Sequence, residues 1–205
     1  MIESRVIDAA TGGEPGQASA AEPRLTVVSG PSGVGKSSVL AELHRAAPEV
    51  FFSVSATTRP PRAGEVDGQH YHFVDRAEFQ RMAEAGELLE HAQYANNCYG
   101  TPRGPVERAL AEGRPAVLEI ELQGARQVRA SMPEAQLVML VPPSWDELVA
   151  RLTTRGTEDP EVVEARLETA RQELAAREEF DAAVVNADLH RASSELVRWV
   201  TGRRH

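Results

Sequence analysis

The sequence predicts an α/β fold built on a parallel sheet, and three observations carry that expectation. Short apolar runs alternate with helical stretches along most of the chain. A glycine-rich turn, "SGPSGVGKSS" (Ser29 to Ser38), separates the first apolar run from the first helix. The 205 residues suffice for one domain with a real core and inserted lids.

Each element follows in order. Residues 1–23 are rich in Ala, Gly, Glu and Ser and bury too little apolar area to offset their ordering entropy. They are expected to form a disordered tail, with room for a short helix over Ile2 to Ala10, ahead of a domain over 24–205. Leu25 to Ser29 is a strand by its β-branched run. Val34 to Ala47 is a helix closed by Pro48, and Val50 to Ser55 is a short strand. "TTRPPRAGEVDGQHYHF" reads as loop and edge strand, given its prolines and glycines. Asp75 with Glu78 is a capping-box pattern opening a helix to about Ala85. Glu90 follows two leucines on a strand. Tyr99, Gly100 and Thr101 form a turn into a helix with Thr101 as N-cap and Pro102 in its first turn, ending at Gly113. Ala116 to Leu122 is a strand, Gly124 to Ser131 a helix, and Ala135 to Val141 a strand. Ser144 with Glu147 is a second capping box. "TTRGTED" splits that helix from a long one over Asp159 to Phe180. A strand over Ala182 to Asn186 and a helix over Leu189 to Val200 close the chain.

Composition narrows the function. A net charge of −9 argues against a general nucleic-acid or anionic-membrane surface. An anion site must therefore be a local cluster of Arg and Lys. The single cysteine, Cys98, rules out an internal disulfide. The N-terminal segment has no apolar core of signal-peptide length, and no stretch approaches a membrane span. A cytoplasmic protein is expected. His44, His70, His72 and His91 show no metal spacing. Trp145 and Trp199 fit the apolar faces of helices.

Gly30 to Ser37 fits G-x-x-x-x-G-K-[ST] without a gap, with a strand before it and a helix after. Across Gly30, Pro31, Ser32, Gly33, Val34, Gly35, Lys36, Ser37 and Ser38, such a loop turns backbone N–H groups inward on a phosphate. The helix N-terminus adds its dipole. Lys36 supplies a point charge, and the Ser37 hydroxyl suits Mg²⁺. The loop holds a nucleotide but does not say what receives its phosphoryl group.

Two later stretches bear on the acceptor. Arg59 and Arg62 flank a proline pair, which stiffens the loop, and paired guanidinium groups suit a terminal phosphate. The same pair also suits a solvated basic loop. Tyr71 adds a hydroxyl donor. Glu90 can accept from the N1–H and N2–H₂ edge of guanine, an edge adenine lacks; taken alone, it equally suits a surface charge.

Together, "SATTRPPRAGEVDGQHYHF", "LLEHAQYANNCYGTP", "LEIELQGARQV" and "RGTEDPEVVEARL", with the loop, resemble guanylate kinase from about Pro23 to the C-terminus. The resemblance implies a P-loop nucleoside monophosphate kinase-like three-layer fold, with helices on both faces of the sheet. It implies a GMP-binding insertion over about 55–102 and an Arg-bearing ATP lid over about 151–167. The implied reaction is ATP + GMP ⇌ ADP + GDP with Mg²⁺, in purine nucleotide metabolism, with dGMP as a further acceptor. By the same resemblance Arg59, Arg62, Tyr71 and Tyr99 hold the GMP phosphate, and Ser55, Glu90, Thr101 and Glu121 read the guanine. The family usually has Asp where this chain has Glu121, and Glu119 stands close enough to share its role. Arg151, Arg155 and Arg166 close over the ATP phosphates, although Glu147, Glu158 and Glu168 also suit an ordinary salt-bridged face. Asn186 borders the adenine or simply turns the chain.

Three other functions are weighed against this one. A non-catalytic guanylate-kinase-like binding module usually lacks an intact phosphate loop, which this chain has. A same-fold kinase for another acceptor, such as a ribose bisphosphate, has no use for a guanine-reading stretch. A switch GTPase needs an N-K-x-D motif that the sequence does not contain. The expected partners are small molecules rather than nucleic acid or membrane, with the chain acting as monomer or homo-oligomer.

Overall fold

The computed structural model describes residues 23–153 and 160–202. The N-terminal segment, the "TRGTED" stretch and, with it, Arg155 lie outside the described residues. Along the chain, β1 (Leu25–Ser29) leads through the glycine-rich turn into α1 (Lys36–Ala46), and β2 (Phe51–Phe52) follows. Next come β3 (Ala56–Thr57), β4 (His72–Phe73), α2 (Arg76–Glu84), β5 (Leu88–Tyr94) and β6 (Asn97–Pro102). The remainder is α3 (Arg103–Ala111), β7 (Ala116–Glu119), α4 (Leu122–Ser131), β8 (Gln136–Val141), α5 (Trp145–Thr153), α6 (Pro160–Ala175), a 3₁₀ turn over Ala176–Glu179, β9 (Ala182–Val185) and α7 (Leu189–Thr201).

Five strands form a parallel sheet in the order β2-β7-β1-β8-β9. Side-chain alternation splits its faces. Leu25, Val27, Leu118 and Leu137 point to one layer, with Val106 of α3 and Ala125 and Val128 of α4. Val28, Val117, Val138 and Leu140 point to the other, with Val39 and Leu43 of α1 and Leu196 of α7. Strands buried on both faces need helices on both faces, and the result is the three-layer α/β fold. A smaller core, Leu148, Leu152, Leu167 and Ala170, ties α5 to α6.

Between β2 and β7 the chain builds a second, mixed sheet in the order β4-β3-β6-β5, with α2 against it. Here the structure departs from the expected elements. Tyr99 to Thr101 is not a turn but part of β6, which pairs antiparallel with β5. The turn lies earlier, at Ala95 and Asn96, with φ of 46° and 63°. Two left-handed residues between paired strands match a right-handed hairpin twist. Thr101 does not cap α3; its hydroxyl bonds Glu90, and Pro102 takes the N-cap position without a side-chain cap.

Other boundaries shift for local reasons. The helix α1 starts at Lys36, not Val34, because Gly35 before it has a left-handed φ of 95°. Only Phe51 and Phe52 of the Val50 to Ser55 run pair with β7. The expected strand over Ala116 to Leu122 stops at Glu119, because Glu121 caps α4. The N-cap bond of each expected box forms, Glu78 N–H donating to Asp75 at 2.8 Å and Glu147 N–H to Ser144 at 3.2 Å, while the glutamate side chains pair with Arg81 and Arg151 instead.

Candidate active site

Two cavities meet at the start of α1. The first, of about 710 Å³, is lined by Pro31, Ser32, Gly33, Gly35, Lys36, Ser37 and Ser38, and by Glu119, Arg151, Leu152, Arg166, Asn186, Ala187 and Leu189. The second, of about 520 Å³, is lined by Lys36, Ser37, Ser53, Ser55, His70, Tyr71, Glu119, Ile120 and Glu121. Lys36, Ser37 and Glu119 stand in both walls.

The first cavity is shaped by backbone that only glycine allows. Gly30 has φ 143°, and a methyl group on it would lie 2.3 Å from the Leu140 carbonyl oxygen of β8. The turn therefore sits flat on the sheet edge. Gly30 and Val34 do not line the cavity. The Gly30 carbonyl accepts from Lys36 Nζ, and Val34 is fully buried beneath the turn. Lys36 Nζ also donates to the Pro31 carbonyl at 3.3 Å. Burial pushes the Lys36 ammonium down from its usual value, while Glu173 and Glu119 pull it back up. The lysine is thus held at the turn by the Gly30 and Pro31 carbonyls.

Asn186 and two arginines hold the turn from behind and above. Asn186 is buried and donates from Nδ2 to the Val34 carbonyl at 2.8 Å. Arg151 donates to the Val34 carbonyl at 3.3 Å and the Asn186 carbonyl at 3.2 Å, and pairs with Glu147. Arg166 of α6 donates to the Ser32 hydroxyl at 2.9 Å. Arg151 and Arg166 thus converge on the turn although 15 residues of chain, partly outside the described region, separate them.

Of the acceptor-side residues expected from sequence, Ser55, Tyr71 and Glu121 line the second cavity, whereas Arg59, Arg62, Glu90, Tyr99 and Thr101 do not. These five lie on the loop and second sheet that adjoin it. Arg59 forms a two-pronged pair with Glu65, both bonds 2.9 Å, with its guanidinium 5.3 Å from the Tyr71 ring centre. Tyr99 meets Tyr71 edge-on at 6.1 Å. Arg62 is exposed, and its backbone N–H donates to Glu65 at 2.7 Å. These bonds hold the Glu65 carboxyl down at about 2.

The two carboxylates expected to read guanine, Glu90 and Glu121, are constrained differently. Glu90 is 6% exposed and accepts from the Thr101 hydroxyl at 2.6 Å. Burial raises its pKa, the Thr101 bond opposes this, and Glu121 adds to the rise. Glu121 is half committed, with acceptor capacity left on each oxygen. Its two oxygens accept from the Gln123 and Gly124 N–H groups at 2.8 Å each, closing the first turn of α4.

Sequence reasoning missed three residues. Glu65 orders the basic loop; its signal was a lone carboxylate beside two arginines. Ser53 has a buried hydroxyl with no hydrogen-bond partner in the wall of the second cavity. Glu173 of α6 stands by the turn: burial raises its carboxyl pKa, and the nearby Lys36 charge and Ser32 backbone lower it. Among the described residues no group of three or more His, Cys, Asp or Glu is arranged to hold a metal. Trp145 packs against the α5–α6 core and Trp199 against the main core, as expected.

Known proteins resemble this chain along most of its length. The guanylate kinase family model matches residues 22–202. The guanylate kinase of Thermobifida fusca (strain YX) is 64% identical over 174 residues, covering 85% of this chain and 89% of that protein. The guanylate kinase of Frankia casuarinae is 60% identical over 178 residues, covering 87% and 97%. The crystal structure of guanylate kinase from Anaplasma phagocytophilum superposes with a TM-score of 0.67 at 31% identity, covering 88% of this chain and 85% of that one. The chain belongs to the guanylate kinase family.

Proposed function

We propose that this chain transfers the γ-phosphoryl group of ATP to GMP, giving ADP and GDP. The observation that carries the reading is the pair of cavities sharing Lys36, Ser37 and Glu119, in a chain of this family. ATP occupies the cavity over the glycine-rich turn, with its phosphates on the backbone N–H groups of Ser32, Gly33 and Gly35 to Ser38 and with Asn186 beside the base. GMP occupies the second. An anionic oxygen of the GMP phosphate attacks the γ-phosphorus; the bond from that phosphorus to the β–γ bridging oxygen breaks, and ADP leaves with the electron pair. No proton has to move, because the attacking oxygen is already ionised. The work is to hold two highly charged groups in line, and Lys36 at the junction, with Arg151, Arg155 and Arg166, neutralises that charge.

On the acceptor side, Arg59, Arg62, Tyr71 and Tyr99 hold the GMP phosphate, and Ser55, Glu90, Thr101 and Glu121 read the base. The second sheet, over about 55–102, closes to bring the five residues outside the cavity wall onto GMP. The segment over about 151–167 closes on ATP and excludes water. The Ser37 hydroxyl and the Glu119 carboxylate, in both cavity walls, would offer oxygen ligands to Mg²⁺, and a bound Mg²⁺ would supply further charge neutralisation. No helix among the described residues is long and apolar enough to cross a membrane. A cytoplasmic location suits an enzyme drawing on ATP.

A coupled ADP-release assay across GMP, dGMP, AMP, CMP, UMP and ribose phosphates tests this. GMP and dGMP are expected to exceed AMP by about 10⁴ in kcat/KM, since buried acceptors reject a base that leaves them unpaired. Comparable turnover of AMP, or preference for a ribose phosphate, contradicts the assignment.

A further inference from the structure

Glycine is a poor choice inside a helix, and Gly124 lies in the first turn of α4 without a left-handed φ to require it. Its surroundings supply another reason. A methyl group on Gly124 would lie 2.9 Å from Glu90 Oε2 and 3.3 Å from Glu90 Cδ. The other Glu90 oxygen is tied to the Thr101 hydroxyl at 2.6 Å. The Gly124 N–H in turn donates to Glu121 Oε1 at 2.8 Å. One residue therefore touches both carboxylates.

Nor can the strand bearing Glu90 back away from α4. Gln127 donates to the His91 carbonyl at 2.9 Å and accepts from the His91 N–H at 3.0 Å. Ser131 donates to the Leu89 carbonyl at 3.2 Å. Gly124, Gln127 and Ser131 stand at i, i+3 and i+7, on one face of the helix. That face grips the backbone on both sides of Glu90 and leaves a gap where its carboxylate lies.

We infer that Gly124 is a positioning residue for base recognition: its missing side chain fixes where the Glu90 carboxylate stands. The inference rests on Glu90 being the guanine acceptor. With alanine there, the strand stays in place and the Glu90 side chain must turn away from its rotamer or from Thr101. Either movement misaims the acceptor oxygens at guanine. The donor cavity is untouched, since Gly124 does not line it.

Four variants test it: Gly124→Ala, Glu90→Ala, Glu90→Gln and the double variant Gly124→Ala/Glu90→Ala. Each is read by KM for GMP, KM for ATP and melting temperature. Gly124→Ala is expected to raise KM for GMP about tenfold, the size of an off-rotamer penalty, and to leave KM for ATP within about twofold. In the Glu90→Ala background the same change should add less than about twofold, because the group it crowds is gone. Should Gly124→Ala prove unstable, Glu90→Ala must restore its melting temperature. An unchanged KM for GMP in a folded Gly124→Ala, an equal penalty in the Glu90→Ala background, or a double variant as unstable as the single overturns the role of Gly124 alone. Glu90→Ala and Glu90→Gln that both leave KM for GMP unchanged overturn the guanine reading itself, and this inference with it.

Discussion

The two halves of the site rest on different foundations. The glycine-rich turn follows β1, which is buried along its whole length at the centre of the parallel sheet. Val27, Val28, Val138 and Leu140 beneath it are fully buried, and Asn186 bonds the turn from the far end of the sheet. The acceptor residues stand on a sheet whose own buried core is Ala56, Phe79 and Leu88. At about 1.5–3 kcal/mol for a buried side chain the size of Phe79 or Leu88, and less for Ala56, this core resists opening far less than the main core does. The central acceptor contact, Arg59 with Glu65, is a two-pronged ion pair within one loop, so it orders that loop without tying it to the main sheet. The difference teaches that the donor half is built in advance, while the acceptor half is free to rearrange around its ligand. It also accounts for five acceptor-side residues lying outside the cavity wall.

Substitutions sharpen this contrast. Lys36→Ala should have the largest effect, lowering kcat about 10³-fold or more with the protein still folded, since Lys36 belongs to both cavities and its contacts are to two carbonyls. Near-normal kcat would break the account of the donor half. Arg59→Ala and Arg166→Ala should then separate the halves. The first should raise KM for GMP about 10- to 100-fold with KM for ATP little changed, and the second should chiefly lower kcat. A reversed pattern would mean that the two cavities have been exchanged.

A smaller effect concerns pH. Burial holds the Glu90 carboxyl above the usual glutamate value. A protonated Glu90 turns a donor toward the guanine donors, so GMP binding should weaken as pH falls from neutral toward that raised value. The GMP phosphate also titrates near pH 6, so the comparison is with Glu90→Gln. The parent should lose a few-fold more GMP affinity than Glu90→Gln over about pH 7 to 5. Parallel profiles would show that the Glu90 charge does not matter to binding.

The legible parts of the molecule were those written locally. The turn over residues 30–38 is a contiguous pattern, and the Asp75–Glu78 and Ser144–Glu147 patterns span four residues each. The β5–β6 hairpin was missed because its tight turn puts Ala95 at positive φ, where Gly or Asn is the usual signal. The cap on α4 was missed because Glu121 is not among the residues that usually cap helices. Asn186 reaches Val34 across 152 residues, and no pattern in the chain announces that bond. Glu65 was hidden for another reason: two arginines beside it suggested a ligand phosphate, yet the nearest anion to Arg59 is this neighbouring carboxylate.

The central claim is that the acceptor half assembles on its ligand while the donor half does not. Amide hydrogen exchange tests it most directly, with GMP alone and with a non-hydrolysable ATP analogue alone. GMP should slow exchange across Ala56 to Pro102 while leaving β1 and β8 as slow as before. The analogue should slow the turn over residues 30–38 without changing the second sheet. Exchange across Ala56 to Pro102 that is already as slow without GMP as with it would contradict the claim and make the acceptor half as rigid as the donor half.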